Sequence, residues 1–506
     1  MFEIELKFQV PEASRRAVEA AVAGGDSRRT HLRAIYFDTP DRRLAAKGLA
    51  LRLRKEGRRW VQTLKGAGPN AMQRLEHNVP LVGALAAPVG AVPGVDALRH
   101  AGTPAGESLL AALAVGKGED APPQLAAQYR TDIWRRTRTL RATGGTVELA
   151  FDTGEIVAGD RRRQVCELEI ELVRGRPSAV IDVARRWVQR HGLWLDVCSK
   201  AERGDRLALD RAIGPAIKAE AVQLGRQMSA DAALHAVVAN CLQQILPNAS
   251  EVADGRCSDE HVHQLRVGLR RLRSALRLFG GWTSAIDPTW DERLAALFGQ
   301  LGTARDRDAL AASLLPELRA AGAPLFELPP APDGPGPTEL LRSTASTLLL
   351  LDLLAYRVGE PAPPADALTA AALPEPALVD RVGDRLRRWH RREVRAGRHY
   401  AELDDLARHT LRKRAKRLRY AAEFAASLYR PKAVERYLKG LEPVQDSLGR
   451  YNDLCIGLAT YRNAVGEDPR AWFAIGWLTA RRDALLAECV VKLKDFARCT
   501  PFWKTR

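Results

Sequence analysis

The sequence predicts an α+β chain in which an amino-terminal set of strands encloses a charge-lined tunnel covered by helices, and an all-α part of two duplicated helical bundles follows. Three observations predict this. The first eight residues, Met1 to Phe8, alternate so that Glu3, Glu5 and Lys7 share one face of a strand and Phe2, Ile4, Leu6 and Phe8 the other. The segment Cys166 to Leu172 alternates again and puts Glu167, Glu169 and Glu171 on one face. Farther on, His263 to Arg273 recurs as His409 to Arg419, an internal repeat within sequence of helical period. Five carboxylates on two strands repel one another unless a cation sits among them, so the charged faces are expected to do chemistry.

Size and charge narrow the classes. A chain of 506 residues with 46% hydrophobic side chains calls for two or three domains. Its net charge of +17 comes mainly from arginine, which grips phosphate oxygens in a bidentate manner, so a polyanionic partner is expected. The seven cysteines are odd in number and form no CxxC pair, which argues against a disulfide framework or a zinc site and suits a reducing cytoplasm. The most apolar run, Leu348 to Leu354, is short and contains Asp352, so neither a membrane span nor a signal peptide is expected.

In order, Pro11 to Ala23 reads as a helix, and His31 to Phe37 as a strand ending in the turn signal Asp38-Thr-Pro-Asp41. Leu49 to Lys55 puts Arg52 and Arg54 on one face, and Trp60 to Lys65 pairs with it across a Gly57-Arg58-Arg59 hairpin, placing Thr63 with Lys65. Gln73 to Val79 carries Arg74 and Glu76 together, and residues 83–122 read as a helical and loop insertion. Gln128 to Leu140 and Thr146 to Asp152 form a hairpin bearing Arg130, Arg135, Glu148 and Asp152. The acidic strand follows, then a helix from Ser178 to His191 and a last strand from Leu193 to Lys200. Since nearly every strand has one charged and one apolar face, helices can cover the apolar faces and leave the charged ones inside.

Glu3-Ile-Glu5-Leu-Lys7, Tyr36-Phe-Asp-Thr39, Leu51-Arg-Leu-Arg54, Thr63-Leu-Lys65, Glu167-Leu-Glu-Ile-Glu171 and Ser199-Lys-Ala-Glu-Arg-Gly204 together resemble a CYTH domain of the triphosphate tunnel metalloenzymes over residues 1–205. The resemblance implies an eight-stranded antiparallel tunnel, a Mg²⁺ or Mn²⁺ requirement and hydrolysis of a triphosphate. It implies Glu3, Glu5, Glu169 and Glu171 as metal ligands, Asp152 as a candidate ligand of a second metal and Lys7 as a phosphate contact. Arg52, Arg54, Lys65, Arg74, Arg130, Arg135 and Lys200 fall on strands that line the family's tunnel with basic residues.

Residues 206–221 read as a linker, after which the sequence is helical. At ~100° per residue, His263, Arg266, Arg270, Arg273 and Arg277 form one stripe, and His409, Arg412, Lys416 and Arg419 repeat it. Leu301-Gly302 with Arg305-Asp306 recurs as Leu448-Gly449 with Asn452-Asp453, so two bundles, residues 222–328 and 338–500, are expected on either side of the proline-rich stretch Pro329 to Pro337. These segments resemble the CHAD domain over residues 222–500, which implies polyphosphate binding by the two histidine-headed stripes.

The expected activity is metal-dependent hydrolysis of inorganic triphosphate to pyrophosphate and phosphate, with long-chain polyphosphate as the partner of the second half. A non-catalytic polyphosphate tether and a hydrolase of thiamine triphosphate or a nucleotide are the alternatives. Nucleic acid is not expected as a partner, because no stacking pattern or helix-turn-helix accompanies the charge.

Overall fold

The structure is a computed structural model that describes residues 2–81, 92–114, 123–324, 334–359 and 376–504, leaving aside the side chains of residues 2, 69 and 303–313. The chain divides into two compact units. One comprises Met1–Lys218, Gln243–Leu265 and Pro337–Gly359, and the other Ala219–Leu242, Arg266–Gly336 and Glu360–Arg506.

In the first unit, β1 (Phe2–Gln9), β2 (Arg28–Asp38), β3 (Ala50–Glu56), β4 (Arg59–Asn70), β5 (Gln73–Pro80), β6 (Ala126–Ala142), β7 (Gly145–Ala158) and β8 (Arg161–Gly175) pair in the order β5-β4-β3-β2-β6-β7-β8-β1, and β5 pairs back to β1. The pairings are antiparallel, so the sheet closes into an eight-stranded antiparallel barrel without a free edge. A two-residue strand, β9 (Trp194–Leu195), adds to β1. Register gathers the charges, because paired residues share a face. Glu3 lies opposite Arg74, Glu5 opposite Glu171, Lys7 opposite Glu169, and Asp152 opposite both Arg135 and Glu167.

The expected inversion, charge inside and apolar residues outside, follows from how helices cover the barrel. α1 (Arg15–Ala23) buries Val18 and Val22, and α4 (Ser178–His191) buries Val180, Ile181, Val183 and Val188. α2 (Arg43–Ala46) and α3 (Pro104–Ala112) enclose Leu44, Leu51, Leu64 and Leu109 on the outer side of β3 and β4. Asp38 fixes the turn into α2, because its carboxylate accepts from the Leu44 and Ala45 amides at 2.9 and 3.0 Å. Parts of the 83–122 insertion, residues 83–91 and 115–122, lie outside the described residues.

The interior is not charged along its whole length. Tyr36, Tyr129, Ile133, Ile156 and Val165 form an apolar cluster on the same strand faces, and it packs on Ala201, Leu207 and Ala208 of α5 (Lys200–Ala208). The strand expected over 193–200 is corrected accordingly: it stops at Leu195, and Lys200 opens α5. Ser199 and Glu202 form a reciprocal capping box there, a local signal that overrides strand alternation. Gly204 permits the contact, since a β-carbon on it would fall 2.2 Å from the Tyr129 ring. α5 therefore closes one end of the barrel and brings two cations with it. Residues 206–208 of the expected linker continue this helix.

The remaining helices are α6 (Ala230–Asp254), α7 (Asp259–Phe279), α8 (Trp290–Ala320), α9 (Pro337–Arg342), α10 (Thr344–Val358), α11 (Leu378–Arg398), α12 (Asp405–Phe424), α13 (Pro431–Ala464) and α14 (Ala471–Ala497). The repeat is visible in their starts: α6 and α11 differ by 378 − 230 = 148 residues, and α7 and α12 by 405 − 259 = 146. The side chains of Arg305 and Asp306 and the stretch 329–333 lie outside the described residues. Among the described residues, no helix is long and apolar enough to cross a membrane.

Candidate active site

Two groups of carboxylates face the barrel interior, and each is threaded by cations. In the first, Asp152, Glu167 and Glu169 bring oxygens within 4.8 Å of one another. The Lys200 ammonium lies 2.7 Å from Asp152 and 2.8 Å from Glu169 and also contacts Glu167, while Arg135 holds Asp152 through Nε at 2.7 Å and also reaches Glu169. Burial alone would raise the Glu169 carboxyl, but Arg135 and Lys200 hold it well below the usual carboxylate range. Burial opposes it, but Asp152 and Glu169 hold both Lys200 and Arg135 above their ordinary values, with Glu167 adding to the effect on Lys200.

In the second group, Glu3 stands between Glu76 and Glu171. Burial and the hydrogen bond to Glu76 push the Glu3 carboxyl up to about 9, although the Lys65 charge opposes the shift. Although burial opposes it, the hydrogen bond from Glu3 and the charges of Lys65 and Arg52 keep Glu76 well below its ordinary value. Burial raises Glu171. Lys65 lies 3.0 Å from Glu3 and also contacts Glu76, and Arg74 Nε lies 3.3 Å from Glu5.

At the closed end, Lys7 donates to the Cys198 carbonyl and lies 3.6 Å from Glu167 and 3.4 Å from Asp196. Arg203 of α5 reaches the same two carboxylates. Asp196 also accepts from Gln9 at 2.7 Å and from the Cys198 amide at 2.8 Å; burial opposes this ionisation, but Arg203 and Lys7 hold its carboxyl below the ordinary range.

β3 differs from both groups. Arg52 donates to the Tyr36 hydroxyl at 3.1 Å, and Arg54 contacts Glu56. Burial and the neighbouring Arg52 push the Arg54 guanidinium down to about 10, with Arg135 adding to the repulsion. The deficit of negative charge is local to Arg54: burial opposes it, but Tyr36 and Glu76 hold Arg52 above its ordinary value.

The structure thus gathers Lys7, Arg52, Arg54, Lys65, Arg74, Arg135 and Lys200 with Glu3, Glu5, Asp152, Glu169 and Glu171. It does not bring Arg130 in. Arg135 follows Arg130 by five positions, an odd offset that puts them on opposite faces of β6, and Arg130 is exposed. Acids and bases alternate around the wall. Four further participants are Glu76, Glu167, Asp196 and Arg203. Alternation places Glu76 with Arg74 and Glu167 with Glu169, and three-residue helical spacing places Arg203 with Lys200. A two-residue strand gives no such signal for Asp196.

In the helical half, α7 carries His263, Arg266, Arg270 and Arg273, and α12 carries His409, Arg412, Lys416 and Arg419. The two stripes converge in part. Burial and the charges of Arg270, Arg412 and Arg266 push the Lys416 amine down to about 7, with Asp453 opposing. Arg266 and Arg270 both lie 4.9 Å from the Phe298 ring centre. Arg273 is committed to Asp291 at 3.0 Å, Arg419 to Glu423 at 2.8 Å and His409 to Asn452 at 2.7 Å.

The CYTH domain model matches residues 1–204, and the CHAD domain model matches residues 236–462. An uncharacterised protein of Mycobacterium tuberculosis is 30% identical over 98% of this chain and 96% of its own length. An inorganic triphosphatase of Haemophilus influenzae is 27% identical over 33% of this chain and 44% of its own. The crystal structure of the CHAD domain from Ricinus communis covers 56% of this chain and 97% of its own, at 28% identity and a TM-score of 0.43.

Proposed function

We propose, from the premise that this chain belongs to the proteins joining an amino-terminal CYTH domain to a carboxy-terminal CHAD domain, that its barrel hydrolyses inorganic triphosphate with a divalent metal ion. One observation carries the reading. Glu3, Glu76 and Glu171 crowd around Lys65, with burial and Glu76 raising the Glu3 carboxyl, and on β3 burial and Arg52 lower the Arg54 guanidinium against its partner Glu56, so positive charge is short at the first place and negative charge at the second. A metal-bound phosphate chain supplies both deficits at once.

The carboxylates fit such an ion, since Asp152, Glu167 and Glu169 offer clustered hard oxygens and Glu3, Glu5, Glu76 and Glu171 offer a second set. Mg²⁺ or Mn²⁺ held there would polarise phosphoryl oxygens and lower the pKa of bound water. The protein's own contribution is positioning and charge. Arg52, Arg54 and Arg135 orient the chain and stabilise charge developing on the leaving pyrophosphate, and Lys65 and Arg74 hold Glu3 and Glu5. α5 closes one end and limits water. The two interior tyrosines, Tyr36 and Tyr129, stack on each other with centroids 4.6 Å apart, so they present no open cage for a base or thiazole. In the helical half, Arg266, Arg270, Arg412 and Lys416 receive long-chain polyphosphate. The seven unpaired cysteines accord with a reducing cytoplasm.

Phosphate release from tripolyphosphate, pyrophosphate, ATP and thiamine triphosphate, each with Mg²⁺, Mn²⁺ or excess EDTA, tests the reading. Tripolyphosphate should give the highest kcat/KM, and EDTA should abolish turnover. A higher kcat/KM for ATP or thiamine triphosphate overturns the substrate assignment, and undiminished turnover in EDTA overturns the metal requirement.

A further inference from the structure

α11 carries charge that its repeat does not. α6 and α11 correspond under the duplication, yet α6 contains no lysine or arginine and α11 contains eight arginines against Asp380, Asp384 and Glu393, a net charge of 8 − 3 = +5. The bundle therefore does not require these arginines. Some are spent inside the unit: Arg385 donates to the carbonyls of Arg277 and Gly280 at 2.9 and 3.0 Å. Arg387, Arg391, Arg395 and Arg398 are different. Their spacing of four, four and three residues aligns them on one side of α11, away from the side that carries Arg385.

Against that side lies the end of α14 and the chain that follows it, and between them is a cavity of about 470 Å³. The four arginines and Arg498 line it, and His390 and Trp503 contribute aromatic surface. Trp503 is fixed by edge-on packing against Tyr437 and His390 at 5.0 and 5.7 Å, and its buried indole N–H has no hydrogen-bond partner. Asp384 answers Arg387 at 2.6 Å and Asp495 answers Arg498 at 3.6 Å. Arg391, Arg395 and Arg398 have no ion pair or hydrogen bond among the described residues. Five guanidiniums against two carboxylates leave 5 − 2 = +3 around one small concavity. A solvated basic face does not need a walled cavity.

We propose that this cavity binds a short phosphoanhydride chain, free or carried on a nucleoside, at a site separate from the α7 and α12 stripes. Guanidiniums suit tetrahedral phosphoryl groups through bidentate donation, and several anionic groups in a row match several arginines in a row. The limited volume favours a compact anion over duplex nucleic acid.

Cys499 lines the cavity and reports on it. Peptide-resolved alkylation of the full chain in EDTA, with Cys455 as the internal reference, should show Cys499 protected about tenfold by saturating tripolyphosphate, ATP or both, and not by sulfate. Tripolyphosphate and ATP arms distinguish the free from the esterified chain. The pair Arg391→Glu and Arg395→Glu, both at exposed positions, should abolish protection, whereas Arg270→Glu should retain it. Absence of protection, equal protection by sulfate, or loss of protection only with Arg270→Glu overturns the proposal.

Discussion

Raising the pH from 7 to 8.5 should weaken long-chain polyphosphate binding through Lys416 alone by about 15-fold. Arg270, Arg412 and Arg266 crowd this amine in a half-buried setting, with Asp453 as the opposing charge, and its pKa falls to about 7. A polyanion beside it would restore an ordinary lysine pKa, so binding takes up a proton above pH 7. With half of the free protein protonated at pH 7 and roughly 3% at pH 8.5, the affinity ratio is about 15, or about 1.6 kcal/mol. The sign for stability is opposite. Between the folded and unfolded values the unfolded chain holds the proton and the folded chain does not, so ligand-free stability gains from this group as pH rises. Burial lowers His409 of the same stripe below its ordinary value. Isothermal titration at fixed ionic strength in two buffers of different ionisation enthalpy would measure both affinity and proton uptake. Lys416→Arg should bind with little pH dependence. Equal pH slopes for wild type and Lys416→Arg would refute the reasoning.

Removal of Arg135 by substitution with Ala leaves buried Asp152 and partly buried Glu169 with Lys200 as their remaining ion-pair partner among the described residues, and should cost about 3–5 kcal/mol in chemical denaturation; a loss below about 1 kcal/mol would contradict the assigned pairing. Gly204→Ala should destabilise the fold by about 1–3 kcal/mol because its β-carbon meets the Tyr129 ring, and the cost should shrink in a Tyr129→Val background. Arg130→Ala should keep turnover within about twofold, whereas Arg54→Ala should lower kcat by about 100-fold or more. A comparable loss from both would place Arg130 back in the site.

Alternation and helical period are local properties, and what depended on them was legible in the chain. The charged faces of β1, β3, β4, β5 and β8 follow from a period of two, and the stripes on α7 and α12 from a period near 3.6. The repeat likewise announced paired helices. Arg130 was separable from Arg135 by the same parity, once one register was fixed by Asp152.

The tertiary structure decided which charges meet. Closure of β5 on β1 puts Arg74 opposite Glu3 and lets Lys65, already paired with Glu76 across the β4–β5 hairpin, reach Glu3, contacts to β1 that no sequence spacing encodes. Lys200 and Arg203 enter the barrel because a capping box at Ser199 starts a helix where alternation suggested a strand. The upward shift of Glu3 and the depression of Lys416 arise from burial and from like charges brought together from distant strands or helices, whereas Arg54 is lowered by burial, by Arg52 two residues away on the same strand and, to a lesser degree, by Arg135 of β6. Such energies depend on distance and burial, which a linear sequence does not contain until the chain has closed.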